Sequence, residues 1–295
     1  MTDSTACLPD PGHLAVDDVL GSPEDVPVVV PLHVVTADGT RREGVDISWQ
    51  DVAARISGGE RLTTSQPSTE EFSAVYRDQV ARGARAVVSI HLSSALSGTV
   101  DSAARAGQRA MLPVRVVDSR TAAMAMGFAA VEAARCAAVG CDADHVARRA
   151  EEVAASARAT FLVDSLDHLR RGGRLSAPAA ALGAALGVRP ILGLSDGRVD
   201  LVQRVRTRRA AVARLVDMAV TRAEECTRPV LAVHHLGAPE RAEEVADTLA
   251  DRVGTRPVVT PVSAVLGAHV GPGALAVVVA DRGSHVHDIE PGGPW

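Results

Sequence analysis

Lysine is absent from this chain of 295 residues, so each of its 31 basic residues is arginine. That absence excludes a P-loop lysine, a pyridoxal Schiff base and a lysine general base. Asparagine is missing too, and the abundance of arginine and alanine is what GC-rich coding produces. The four cysteines, Cys7, Cys136, Cys141 and Cys226, have no metal-ligand spacing, so neither zinc nor a disulfide framework is indicated. No metal or cofactor is expected. Net positive charge is also lacking: the formal charge is −5, which argues against broad nucleic-acid binding. The longest apolar run, Ala274–Ala280, is far too short to span a bilayer, and the acidic start Met1–Thr5 has no apolar signal region. A soluble, cytoplasmic protein without stable membrane insertion is the expectation.

Apolar β-branched runs alternate with Ala-rich helical stretches. Val28 to Val35 (interrupted by Pro31), Ala86 to Leu92, Val114 to Val117, Thr160 to Val163 and Val230 to His234 read as strands, and the rhythm is that of an α/β protein. Ser68-Thr69-Glu70-Glu71 predicts a capping box opening a helix that runs to about Arg82. Asp196-Gly197, between two strand-like segments, predicts a hairpin and so an antiparallel element in the second half. A domain boundary is expected near Ala159: an N-terminal α/β domain over 1–158, a C-terminal α/β domain with a mixed sheet over 159–282, and a polar, poorly ordered tail over 283–295.

Three small-residue loops suit an anion: Thr63 to Ser68, Ser93 to Thr99 and Gly267 to Gly273. Hydroxyls and free backbone N–H groups at helix starts donate hydrogen bonds toward negative charge, and the imidazole of His269 can add another. Any one such loop usually just caps a helix or makes a turn. The glycines at 267, 271 and 273 are expected to let backbone approach a ligand. His234 and His235 read as structural.

These loops, in this order, resemble the DegV family. The resemblance rests on Thr64-Ser65-Gln66-Pro67-Ser68, Ser93 to Thr99, Val117-Asp118-Ser119, Leu169 to Ser176, Arg189-Pro190-Ile191-Leu192 and Gly267 to Ala274, covering almost the whole chain. It implies a two-domain α/β fold, with a Rossmann-like, largely parallel sheet and a second mixed-sheet domain holding a long-chain fatty acid between them. It implies no catalysis by the chain itself. Some members present the bound acyl carboxylate to a separate ATP-binding fatty acid kinase subunit, which forms acyl phosphate for phospholipid metabolism. By position, Thr64 and Ser97 match the carboxylate-binding hydroxyls, with His269, Ser94 and Arg174 beside them, and Arg206 matches an arginine for phosphate or partner contact. Thr2-Asp3-Ser4-Thr5 resembles the family's amino-terminal segment without the hydrophobic strand that precedes it, so either translation starts upstream or the sheet lacks a strand.

Two stretches, Ala122 to Val139 and Ala177 to Gly187, are apolar all round, as befits helices that are buried or line a cavity. Burying a chain of roughly 15 methylenes at about 0.8 kcal/mol each gives on the order of 12 kcal/mol before association costs. Two other readings remain open. Ser97, His269 and Asp118 supply the residue types of a serine hydrolase, although the G-x-S-x-G match at Gly193–Gly197 falls in a hairpin and not at a nucleophile elbow. A small carbonyl binder like dihydroxyacetone kinase is the third.

Overall fold

The computed structural model describes residues 1–9, 27–180 and 188–283. Within them the strands are β1 Thr2–Asp3, β2 Val29–Val30, β3 His33–Thr36, β4 Gly39–Arg42, β5 Thr63–Ser65, β6 Val87–His91 and β7 Val114–Asp118, followed by β8 Arg158–Leu162, β9 Arg189–Ser195, β10 Arg198–Val205, β11 Pro229–His235, β12 Val258–Pro261 and β13 Leu275–Asp281. The helices are α1 Trp49–Ser57, α2 Thr69–Ala81, α3 Thr99–Gly107, α4 Met124–Ala138 and α5 Ala143–Ser156, then α6 Asp167–Arg171, α7 Ala177–Ala180, α8 Arg208–Glu224, α9 Pro239–Val253 and α10 Ala264–Val270.

The strands form three sheets. One is parallel, in the order β2-β1-β6-β7; one is a small antiparallel sheet, β4-β3-β5; the third, β10-β9-β8-β13-β11-β12, is antiparallel except for the β11–β12 pair. This is the mixed α/β architecture that the alternating pattern predicts. The capping box forms, with Ser68 and Glu71 bonding each other's backbone at the start of α2. Asp196 and Gly197 both take positive φ, 48° and 78°, as a two-residue hairpin turn requires.

Several local expectations need correction. The run Val28 to Val35 makes two strands in different sheets, because Pro31 has no N–H to continue a ladder. Residues 63–65 form strand β5 at the edge of the antiparallel sheet, where a loop was expected, with Thr64 opposite Val34. Gly267, Ala268 and His269 are helical, in α10, and only Gly271 and Gly273 turn the chain into β13. Thr2–Asp3 itself is the strand lying between β2 and β6. Of the two apolar stretches, Ala177–Ala180 is helical; residues 181–187, like the tail from 284 onward, lie outside the described residues.

The core follows the pleat of the six-stranded sheet, in which alternate residues face opposite sides. Leu275, Val277 and Val279 face α8 and α9, whereas Val278 and Ala280 pack on α4 and α5. Helix α4 is apolar on two flanks because each packs into a different core. Met126, Ala130 and Ala133 join the core of the parallel sheet, while Met124, Phe128 and Val131 join that of the six-stranded sheet. Core packing therefore accounts for Met124 to Cys136 of the stretch Ala122 to Val139, while Ala122 and Ala123 line a cavity and Val139 is exposed. No helix among the described residues is long and apolar enough to cross a membrane.

Candidate functional site

Between the sheets lies a cavity with about 1060 Å³ of empty space, part of it open to solvent. The six-stranded sheet contributes Ala159, Phe161, Ala276 and Val278; the first half of the chain contributes Leu32, Leu92, Leu96, Ala122 and Ala123. Most of the wall is aliphatic. Polar side chains gather where β5, the loop after β6, the segment after α6 and helix α10 meet: Thr64, Gln66, Ser97, Arg174 and His269.

The chemistry of this cluster centres on a pair. His269 Nε2 lies 2.8 Å from Thr64 Oγ1. Burial, together with the nearby Arg174 charge, pushes the imidazole down from 6.5 to about 4, so it is neutral at pH 7 and carries one N–H. If Nε2–H donates to Thr64, the threonine O–H is free to donate into the cavity. Arg174 is anchored through Nε to the Leu96 carbonyl, 3.0 Å away, and through Nη1 to the Gly172 carbonyl; its remaining N–H groups and its charge are left for an anion. Ser97 Oγ shares a hydrogen with Thr99 Oγ1 at 2.9 Å at the start of α3.

Position comes from the packing around these groups. Helix α10 starts on Ser263, whose hydroxyl caps the Leu266 N–H, and on the buried Glu43, whose carboxylate accepts from Val265 N at 2.8 Å. A carboxylate suits the positive end of a helix. Gly172 is close because it must be: a Cβ there would lie 2.4 Å from His269 Nδ1. Gly98 likewise admits the Gln66 amide, which a Cβ would meet at 2.6 Å. The glycines expected to admit a ligand do something else. Gly267 makes room for Leu236, Gly271 for the His168 ring and Gly273 for the Asp164 carboxylate.

Thr64, Ser97, Arg174 and His269 are thus brought together, as the sequence suggests, and Gln66 joins them from the same quoted segment without having been singled out. Ser94 is not among the lining residues: its hydroxyl donates to Asp118 Oδ2 at 2.5 Å. The hydrolase triad fails for the same reason, since Asp118 holds Ser94 while His269 holds Thr64. Arg206 is exposed beyond the end of β10, outside the cavity. Its neighbour Arg208 turns inward instead, pairing with Asp164 and donating to the Gly273 carbonyl at 2.8 Å. His234 also lines the cavity, but both its nitrogens are used. Nδ1 pairs with the Thr260 carbonyl at 3.1 Å, and Nε2 accepts from Met124 N, the first amide of α4, at 3.2 Å. Burial lowers its pKa to about 4.

A hydroxyl–imidazole–carboxylate chain lies elsewhere, at residues that the sequence did not single out. Tyr76 Oη donates to Ser89 Oγ (3.1 Å), Ser89 Oγ contacts His91 Nε2 (2.7 Å), and His91 Nδ1 contacts Asp3 Oδ2 (3.1 Å). Asp3 also accepts from Leu92 N and from Thr5 N and Oγ1. Ser89, His91 and Asp3 are wholly inaccessible, with the Phe72 ring edge-on to His91 at 5.0 Å. An isolated serine and histidine in an apolar strand gave no signal to find it.

Comparison with known proteins agrees with this layout. The model of the DegV family, described as uncharacterised proteins, matches residues 1–282. The chain is 45% identical over 285 residues to a DegV domain-containing protein of Streptomyces coelicolor, covering 96% of this chain and 98% of that one. It is 34% identical over 253 residues to the protein DegV of Bacillus subtilis, covering 84% and 90%. The crystal structure of DegV, a fatty acid binding protein from Bacillus subtilis, superposes with a TM-score of 0.83 at 32% identity, over 95% of this chain and 97% of that one. A fatty-acid-binding DegV family protein from Thermus thermophilus gives 0.81 at 31% identity, over 95% and 98%.

Proposed function

Because this chain belongs to the DegV family, we propose that its cavity holds one long-chain fatty acid, with the carboxylate at Thr64, Ser97, Arg174 and His269 and the acyl chain along the aliphatic wall. The carrying observation is the contrast within one cavity: a hydroxyl–imidazole pair beside an arginine at one place, and Ala, Val, Leu and Phe nearly everywhere else. A carboxylate gains charge-assisted hydrogen bonds at the first, and a hydrocarbon chain gains burial at the second. A small carbonyl compound would leave most of that apolar wall bare. Named solved relatives bind fatty acids, in keeping with this reading.

In this reading the chain is a cytoplasmic carrier and not an enzyme by itself. It hands its cargo to a separate ATP-binding kinase subunit that converts the carboxylate to acyl phosphate. Arg206, exposed and outside the cavity, is suited to touch that subunit or the transferred phosphate without touching lipid. Organic extraction of the purified protein followed by mass spectrometry tests the central claim. Stoichiometric fatty acid is the expected result; protein that is reproducibly empty, and that takes up no added palmitate or oleate, overturns it.

A further inference from the structure

Helix α4 ends in a Schellman motif. Gly140 takes φ 90°, its N–H donates to the Ala137 carbonyl at 3.0 Å, and the Cys141 N–H donates to the Cys136 carbonyl at 3.1 Å. These two bonds fold the chain back over the last turn of the helix, so the side chains on either side of the turn meet, and an apolar contact commonly fills that place. Here both positions are cysteine. Their thiols are hydrogen-bonded to each other, both are unoxidised, and both pack into the core of the parallel sheet. Two sulfurs in contact, on backbones already bonded to each other, need no backbone movement to be joined. The other two cysteines bond to main chain instead: Cys7 Sγ to the Thr5 carbonyl and Ser263 N, Cys226 Sγ to the Arg222 carbonyl.

The two thiols differ in access. Cys136 is wholly buried, and burial together with the neighbouring Cys141 pushes its thiol up to about 12. Cys141 is partly accessible and lines a second, solvent-open cavity with Ala134, Ala137 and Asp142. A small oxidant therefore meets Cys141 first. We propose that Cys141 and Cys136 form a redox site, at which a hydroperoxide oxidises Cys141 and Cys136 then closes onto it as a disulfide. In the first step the Cys141 sulfur takes the terminal peroxide oxygen, the O–O bond breaks, and the remaining alkoxide or hydroxide leaves with the thiol proton, giving a sulfenic acid. In the second, the Cys136 sulfur attacks Cys141 Sγ, the S–O bond breaks, and hydroxide leaves as water with the Cys136 proton. The two sulfurs give up one electron each and the peroxide is reduced. The new bond ties the end of α4 to the residue before Asp142, whose side chain caps α5, and so fastens the turn between the two helices. Neither cysteine lines the cavity between the sheets, so the proposal stands apart from the acyl-binding reading.

The test uses the folded full chain, hydrogen peroxide as oxidant, and dimedone to trap sulfenic acid. Arg135 and Arg148 bound a tryptic peptide, Cys136–Arg148, that contains both cysteines and neither of the others, so mass spectrometry reads the pair by itself. After peroxide, with free thiols blocked before digestion, this peptide is lighter by two hydrogen atoms and carries no blocking group, and a dithiol reductant restores it. Cys226, also partly accessible, is the internal reference and forms no disulfide. In Cys136→Ala, which keeps the buried site apolar, Cys141 stops at the sulfenic acid and takes up dimedone. The oxidised parent melts at a higher Tm than the reduced parent, because the bond constrains the unfolded chain and fits the native turn. A peptide that keeps both thiols, dimedone on Cys141 to the same extent in parent and variant, a disulfide to a second molecule, or a fall in Tm on oxidation each overturns the proposal.

Discussion

His91 and His269 keep nearly the same company, an aliphatic hydroxyl on one side and a charged side chain nearby, yet one is sealed and the other faces a cavity. In the sealed group every capacity is used. Asp3 accepts from four donors, His91 uses both nitrogens, and Tyr76 and Phe72 close the space above. In the open group Thr64 has one partner in His269, and Arg174 has guanidinium N–H groups to spare. A hydroxyl, an imidazole and a charge do not by themselves make a site; unspent hydrogen-bonding capacity beside accessible space does. The sealed group ties β1 to β6 and the residues around them, and so belongs to stability.

The largest effect should come from breaking the sealed group. Asp3→Ala strands four buried donors and should cost about 3–5 kcal/mol of folding stability, measured by urea denaturation; a loss under about 1 kcal/mol would show the network to be dispensable. Acid sharpens the contrast next. Buried His234 is neutral when folded, with a pKa near 4 against 6.5 unfolded. The unfolded chain therefore takes up the proton first as pH falls. The stability that His234 contributes is complete above pH 6.5 and is lost between there and pH 4, on the order of 3 kcal/mol. Flat stability across that window would contradict the buried, neutral assignment.

A matched pair comes third. Thr64→Ala and Ser97→Ala should each weaken fatty-acid binding by about 1.5–3 kcal/mol in a direct titration while hardly moving Tm. Ser89→Ala should do the reverse, lowering Tm by leaving His91 Nε2 bare and leaving lipid affinity alone. Should Ser89→Ala loosen lipid as much as Thr64→Ala does, the division between the two groups is wrong. Smallest of all is Arg206→Ala, which should leave stability and lipid affinity within about 0.5 kcal/mol of the parent, as surface changes usually do. Its effect should appear only in a coupled assay of acyl-phosphate formation with a cognate kinase, and a variant that loses lipid instead would place Arg206 in the cavity.

Much of this was legible from local chemistry. The capping box at Ser68, the Asp196-Gly197 turn and the apolar strand Ala86 to Leu92 each declare themselves within a few residues, and each lies where the pattern puts it. What escaped depends on partners far along the chain. Thr63–Ser65 is polar and short, and is a strand only because β3 pairs with it. Gly267 reads as loop but is helical, in a helix whose start is held by Ser263 and by Glu43 from far along the chain, with Leu236 packed close against the glycine. His269 could be singled out by its glycine neighbours, whereas the grip of Gly172 on its ring spans nearly a hundred positions and leaves no local trace. The hydrolase constellation fails for the opposite reason: Ser97, His269 and Asp118 are the right types, but Ser94 claims the carboxylate first.

The bond from Met124 N to His234 Nε2 bears on how the chain acquires its shape. Helix α4 lies in the first half of the sequence, but the acceptor for its first amide is supplied by β11, more than a hundred residues later. The pyramid of contacts around that helix is likewise shared, one flank against each sheet. Neither half can therefore reach its final form while the other is missing, for a fragment ending before β11 leaves the helix start uncapped and one apolar flank wet. The cavity, whose wall takes residues from both halves, is complete only when both are in place.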